Sequence, residues 1–205
     1  MKTLPETIVE RSRLLPKGGM LTAKDFLHLA SRAAVDQALS RLAKSGLLQR
    51  AARGLYIQPF AGAERLEKPT NDQVVRSLAA KTLEVITVGG ERSASTLGLT
   101  SKAPNDKVFL TSGRSRTLQL DDVIIEIRHV PRWMLSLGDT TAGAVIRALA
   151  WAGKARVKVM MVKLRKRLSS NDWLALSSAS FLLPSWMAEA IGREADVKVY
   201  PSAEF

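Results

Sequence analysis

The segment from Ser31 to Pro59, SRAAVDQALSRLAKSGLLQRAARGLYIQP, sets an amphipathic helix immediately before a basic hairpin. Gly46 is the residue type that most often ends a helix in the left-handed conformation. A helix followed by a hairpin is typical of a winged helix-turn-helix, and the alternative is a solvated helix and hairpin without a ligand. Four apolar residues recur at the spacing of one buried helix face, namely Val35, Ala38, Leu39 and Leu42.

The hairpin is predicted from two alternating runs, residues 47–50 and 55–58, joined by a turn over residues 51–54. Arg53 lies at the tip of that turn. From Leu39 to Pro59 the chain has four cations and no carboxylate. A surface without acidic groups suits the phosphate backbone of nucleic acid.

The charge of the whole chain points to the same class of partner. A formal net charge of +12 and a pI near 10.4 favour a polyanion, nucleic acid first and an anionic membrane surface second. No apolar run approaches the roughly 18 residues of a membrane span, and the N-terminal residues lack the apolar region of a signal peptide. We therefore expect a cytoplasmic, nucleoid-associated protein.

Cysteine is absent, which excludes disulfides, thiolate zinc sites and cysteine nucleophiles. The two histidines, His28 and His129, are too distant in sequence to suggest a metal motif, so we expect each to be structural. The chain also lacks a phosphate-loop motif, a G-x-S-x-G elbow, H-E-x-x-H and the protein-kinase motifs. We expect neither a cofactor nor a metal, and no enzymatic activity.

Local signals divide the chain into a winged helix-turn-helix domain at residues 1–60, a linker at 61–69 and a C-terminal domain at 70–205. In the first domain we expect helices over residues 5–15 and 22–30, the second started by a capping box of Thr22 and Asp25. Met20 and Leu21 are expected to add a short strand to the wing.

The C-terminal domain is predicted to combine a small antiparallel sheet with several helices, which makes the fold α+β. A capping box predicts a helix over residues 70–81, and a strand over 84–88 leads through Gly89-Gly90 into a short helix. For the diglycine we favour a plain turn over a phosphate-binding loop. Runs 108–111, 116–120 and 123–130 predict an antiparallel meander, with Asp121-Asp122 as a turn. Further helices are expected over residues 140–151, 157–168, 170–178 and 185–193, and the four tryptophans are expected to anchor the core.

A winged helix-turn-helix presents the exposed face of its second helix to base edges in the major groove. Gln37 can pair with adenine, and Arg32 or Arg41 with guanine, whereas Lys44 lies nearer the backbone. Wing cations hold phosphates or enter the minor groove. The predicted DNA-binding residues are therefore Arg32, Ala33, Asp36, Gln37, Ser40, Arg41, Lys44, Arg50 and Arg53.

A second basic stretch, residues 154–167, KARVKVMMVKLRKR, has seven cations and no anion. Its apolar residues fall on one helix face, so its cations are equally well explained as the solvated side of a surface helix or as a contact with an acidic partner.

Two stretches together resemble a known family: residues 38–59, and residues 89–129, GGERSASTLGLTSKAPNDKVFLTSGRSRTLQLDDVIIEIRH. From about residue 5 to residue 190 the chain resembles the AbiEi-type abortive-infection antitoxins of type IV toxin-antitoxin systems, in particular their DUF6088-like branch. The most specific motifs of this resemblance are R-L-x-x-x-G at 41–46, R-G-x-Y at 53–56, L-G-L at 97–99 and S-G-R-S-R-T at 112–117. After the L-G-L motif this chain has Thr100-Ser101-Lys102-Ala103-Pro104 in place of the more polar loop of the family.

The resemblance implies an autoregulatory transcriptional repressor that binds inverted repeats in its own promoter, with DNA contacts on residues 32–44 and the wing. It also implies that residues 70–205 counteract a nucleotidyltransferase-like toxin. The alternatives are a free-standing winged-helix regulator and an atypical kinase-like enzyme that modifies the toxin. The oligomeric state stays open. Candidates for the antitoxin surface or a second basic surface are Arg114, Arg116, Arg156, Lys158, Lys163, Arg165, Lys166 and Arg167.

Overall fold

The computed structural model describes residues 2–59 and 68–199, and its fold is α+β as predicted. The chain forms two compact units. The first unit consists of residues 1–84 with 116–126, and the second unit of residues 85–115 with 127–205.

The first unit begins with helix α1 (Leu4–Arg13), which a capping box of Thr3 and Glu6 starts. The helix predicted over residues 22–30 is only a 3-10 turn, Ala23–Phe26, although its capping box is present. That prediction was wrong in length because only Ala23 and Phe26 are buried there, and these two residues are three positions apart, the period of a 3-10 turn.

Helix α2 (Arg32–Lys44) follows as the sequence predicted. Ser31 caps it, with its Oγ accepting a hydrogen bond from the Ala34 N–H at 3.3 Å. Gly46 has a φ of +76° and ends the helix in the left-handed region. The residues buried on α2 are the four predicted ones, Val35, Ala38, Leu39 and Leu42.

A three-stranded antiparallel sheet completes the N-terminal part of this unit. Its strands are β1 (Met20–Leu21), β2 (Gln49–Ala52) and β3 (Leu55–Ile57), in the order β1-β3-β2. β1 pairs with β3 as expected, with Met20 opposite Ile57. The turn is shorter than predicted, since residues 51 and 52 continue β2 and only Arg53 and Gly54 turn the chain. The succession of elements is compatible with a winged helix-turn-helix.

Helix α3 (Asn71–Thr82) belongs to the first unit, which differs from the predicted boundary. Its backbone at Val74 lies so close to Gly18 that a Cβ on Gly18 would meet Val74 N at 3.1 Å. Its Lys81 Nζ lies 2.5 Å from Asp25 Oδ1 of the 3-10 turn. These contacts tie α3 to the preceding elements, whereas most of the predicted linker lies outside the described residues.

The Asp25–Lys81 pair makes stability depend on pH. Burial disfavours the charged carboxylate, but hydrogen bonds from Lys81 and Thr22 outweigh burial and hold the pKa of Asp25 below its ordinary value. A lowered pKa contributes stability that is present above about pH 4, the unfolded value, and is lost as the pH falls through the folded pKa. We expect Lys81→Met to cost about 1–2 kcal/mol at pH 7 and much less at pH 2, measured by urea unfolding followed by circular dichroism.

The exposed pair of Lys68 and Asp121, 3.3 Å apart, provides the control. Lys68→Met should change the unfolding free energy by less than about 0.5 kcal/mol at either pH. An equal loss in both variants, or a Lys81→Met deficit that persists unchanged at pH 2, contradicts the assignment.

The second sheet has four strands, β4 (Ile86–Val88), β5 (Val108–Thr111), β6 (Arg116–Leu120) and β7 (Val123–His129), in the order β4-β5-β7-β6. The predicted meander is wrong because β7 lies between β5 and β6. Residues 121–122 turn β6 directly into β7, and beyond the end of β7 the Val130 N–H donates to the Thr111 carbonyl at 3.1 Å. β6 belongs to the first unit, where it lies alongside β2. β7 begins in the first unit and ends in the second.

Helices dominate the second unit. They are α4 (Gly90–Thr96), α5 (Thr141–Ala152), α6 (Val157–Arg165), α7 (Ser170–Ser178) and α8 (Ser185–Val199). Trp173 is fully buried in their core, and Trp133, Trp151 and Trp186 pack against that core, as predicted. Within residues 2–59 and 68–199 no helix is both long and apolar enough to cross a membrane.

Candidate nucleic-acid interface

Helix α2 exposes every residue that the sequence assigned to DNA on this helix. Because four apolar residues of α2 form its buried face, the residues on its opposite side face the solvent. The set comprises Arg32, Ala33, Asp36, Gln37, Ser40, Arg41 and Lys44.

The two cations of the β2–β3 hairpin are exposed as well. Arg50 lies on β2 opposite Tyr56, whose side chain is buried in the core of the first unit. Arg53 lies in the turn beside Gly54, which has a φ of +73°. The hairpin therefore presents one cation along its strand and one at its tip.

The start of α2 and the tip of the hairpin meet at one cleft of about 440 Å³. Arg32 and Gly54 both line it, together with Lys24 of the 3-10 turn and Lys81 at the end of α3. The sequence analysis missed Lys24 and Lys81. Lys24 lies inside the capping-box segment and could have been found there, but Lys81 had been assigned to the other domain.

An ion pair spans the first turn of α2, where Arg32 Nε lies 2.8 Å from Asp36 Oδ2. Both side chains are more than half exposed, at 63% and 53%, so the pair adds little to stability. Asp36 is the single carboxylate on α2. It therefore orients Arg32 and lowers the positive charge of this face.

The predicted second basic surface is largely occupied by contacts within the chain. Arg116 pairs with Glu84 in the first unit, both side chains being about one-fifth exposed. In the second unit Arg156 lies over the Trp151 ring at 4.9 Å, and Arg165 makes two hydrogen bonds to Glu194, which raise the pKa of Arg165. Lys163 and Arg167 donate to the carbonyls of Leu99 and Leu97.

The other three residues of that predicted set are exposed, and Arg114 among them also interacts within the chain. Arg114 is exposed just before β6. Lys158 and Lys166 project from α6 and its C-terminal end without a partner among the described residues. The buried face of α6 consists of Val157, Met160, Met161 and Leu164, as the apolar spacing predicted, and the exposed cations on its other side fit both explanations of the basic stretch.

Comparison with known protein families identifies the family of this sequence. Residues 7–172 match DUF6088, a family of unknown function. The chain belongs to the DUF6088 family. No curated protein and no solved structure matches it.

The match covers most of this DUF6088 protein, from within α1 to within α7. All nine residues of the candidate interface fall inside it, whereas α8 lies beyond it. Within the described ranges, His, Asp and Glu side chains form no group of three that could hold a metal ion. His129 Nδ1 lies 2.7 Å from the Gly113 carbonyl, a contact that ties the end of β7 to the loop before β6.

Proposed function

We propose that this DUF6088 protein is a sequence-specific DNA-binding repressor of its own promoter and an antitoxin. The observation that supports DNA binding most directly is the shared cleft of the α2 start and the hairpin tip. In a winged helix-turn-helix these are the two elements that face DNA. Here both are exposed, cationic and adjacent.

The proposed docking follows from where each side chain lies. Helix α2 enters the major groove, where Gln37 pairs with adenine and Arg41 with guanine through two hydrogen bonds each. Arg50 and Arg53 contact phosphates or the adjacent minor groove. Lys24 and Lys44 add phosphate contacts on either side of the α2 face.

The antitoxin activity is proposed from the resemblance to AbiEi-type antitoxins. One of the two stretches that carry this resemblance is residues 89–129. Of these residues, 89–115 and 127–129 belong to the second unit, whereas 116–126, which form β6 and the start of β7, belong to the first unit. The proposed partner is a nucleotidyltransferase-like toxin encoded beside this gene.

Fluorescence anisotropy on the promoter DNA tests the first part. We expect the inverted-repeat duplex to bind at least about a thousandfold more tightly than a scrambled duplex of equal length and composition. The affinity for both should fall steeply between 50 and 200 mM salt, because phosphate contacts release counterions. Equal affinity for the two duplexes contradicts sequence-specific recognition.

Co-expression with the neighbouring toxin tests the second part. The full-length protein should restore growth, and so should a full-length variant with Gln37→Ala and Arg41→Ala, which removes DNA reading and leaves the second unit intact. Continued growth arrest with both proteins present at normal levels removes the antitoxin proposal.

Asp36 supplies a further prediction. Replacing it with asparagine removes the carboxylate that faces phosphate and releases Arg32. We expect Asp36→Asn to raise the affinity for scrambled DNA by about threefold to tenfold at 50 mM salt, and to raise operator affinity less, so that specificity falls. Competition between operator and scrambled duplexes measures both effects. Asp122→Asn, at the β6–β7 turn, changes the charge equally and should leave the ratio of affinities unchanged.

A further inference from the structure

The residue that ends helix α3, Leu83, has an unusual backbone conformation. Its φ is +56° and its ψ is +33°, in the left-handed region where glycine or asparagine commonly ends a helix. A leucine there is strained because its Cβ lies too close to the neighbouring backbone. Such strain persists only where the surrounding structure fixes the chain, and it is frequent at binding sites.

Burial of the side chain does not compensate the strain at Leu83, because this residue is 92% exposed. Leu137 provides the comparison. Its φ of +63° is also left-handed, but its side chain packs against the helical core of the second unit. Removing apolar surface from water stabilises the fold at Leu137, whereas Leu83 leaves its apolar surface in the solvent. The fold itself therefore gives no reason for a leucine at residue 83.

Ion pairs on both sides hold Leu83 in place within the first unit. Two residues before it, Lys81 Nζ lies 2.5 Å from Asp25 Oδ1, and one residue after it, Glu84 Oε2 lies 2.7 Å from Arg116 Nη2. The four paired side chains are between 21% and 28% exposed, so solvent screens them less than it screens surface pairs. The leucine is therefore presented at a fixed position.

That position is the cleft of about 440 Å³ between the start of α2 and the tip of the hairpin. Leu83 lines this cleft together with Arg32, Gly54 and Lys24. Single exposed apolar residues are common on proteins, and Leu14, at 80% exposure, is one of them. Leu14, however, ends α1 in the ordinary right-handed conformation. Leu83 combines exposure, left-handed backbone and a place in the proposed DNA-binding cleft.

We propose that Leu83 contacts DNA by packing on the deoxyribose of the strand that crosses this cleft. The inference rests on the DNA binding proposed above and adds a third element, the end of α3, to α2 and the hairpin. Each deoxyribose presents C–H groups between two phosphates, so a leucine beside phosphate-binding cations meets an apolar surface there. Contacts with the sugar add affinity and fix the position of the protein without reading sequence.

Fluorescence anisotropy of full-length Leu83→Asn with the operator and scrambled duplexes tests the proposal. Asparagine adopts the left-handed region readily, so the substitution removes apolar surface without adding strain. We expect the affinity for both duplexes to fall at least about fivefold. The slope of log affinity against log salt concentration should not change, because no cation is removed. Leu83→Met keeps an apolar side chain and should bind within about twofold of the natural protein.

Leu14→Asn is the matched control, since it makes the same change at an exposed leucine at the end of another helix. Its affinity should stay within about twofold of the natural protein. Unchanged affinity in Leu83→Asn, an equal loss in Leu14→Asn, or a loss confined to the operator overturns the sugar contact.

Urea unfolding separates binding from folding. Leu83→Asn should unfold at the same or a higher urea concentration, because the strain is relieved. A lower midpoint shows that the leucine stabilises the fold and overturns the proposal. Operator-specific binding by the natural protein together with unchanged binding by Leu83→Asn removes only the Leu83 contact. Equal binding of both duplexes by the natural protein removes the repressor proposal, and the contact is then still measured on either duplex.

Discussion

Replacing Gln37 and Arg41 together with alanine should greatly reduce the preference of this protein for operator over scrambled DNA. Both side chains are exposed on α2, on the solvent side of its buried face. Each proposed bidentate base contact contributes about 1–3 kcal/mol of discrimination, so the double substitution should weaken operator binding by about a hundredfold or more. Anisotropy with operator and scrambled duplexes at one fixed salt concentration measures this loss.

The pattern across the two duplexes distinguishes base reading from simple loss of charge. Affinity for scrambled DNA should fall by no more than about tenfold, since one cation is removed. Lys158→Ala removes the same charge in the second unit and should change neither affinity by more than twofold. A parallel fall for operator and scrambled DNA in the double variant shows that these residues contact only the backbone.

Gly90→Ala should destabilise the second unit by about 3 kcal/mol. The added Cβ would meet the Arg147 carbonyl oxygen and the Trp151 Cβ, both at 2.5 Å. These atoms belong to the backbone and the root of a side chain on α5, so neither can rotate away, and α4 must shift. Because the four tryptophans all lie in the second unit, their fluorescence during urea unfolding reports on this unit.

Gly192 is the matched control for this substitution. It lies within α8, and a Cβ added there would meet no described atom within 4 Å, so Gly192→Ala should stabilise the protein by about 0.5–1 kcal/mol through helix propensity. Equal effects of the two substitutions contradict the close packing of α4 on α5.

Local signals predicted most helices with good boundaries. Thr70, Thr140 and Ser169 cap α3, α5 and α7, each accepting a hydrogen bond from a backbone N–H three residues on. The caps and the apolar spacing are properties of neighbouring residues, so the sequence displays them directly. The same holds for α2, whose exposed residues follow once its buried face is known.

Features that depend on distant residues were not predicted. The position of β7 between β5 and β6 depends on pairing across the chain, which alternation within a strand does not specify. Lys81 reaches the cleft of the first unit because α3 packs near the 3-10 turn that contains Asp25. Lys81 and Asp25 are 56 residues apart in sequence. The burial of Arg147 on α5, which is 1% exposed, was hidden because an arginine in an apolar helix pattern is ordinarily placed on the solvent side.

The path of the chain through both units affects how the gene can be altered. Since the first unit takes residues from both sides of residues 85–115, no single break in the reading frame yields two intact products. A fragment that starts at residue 70 would keep α3 and β6 but lose α1, α2 and the three-stranded sheet of the same unit. Val74, Leu78 and Leu118, which are buried in the intact protein, would then lose part of their packing. A hybrid gene joined within residues 60–67 would separate the same elements of the first unit. Point substitutions in the full-length protein are therefore the better way to assign each activity.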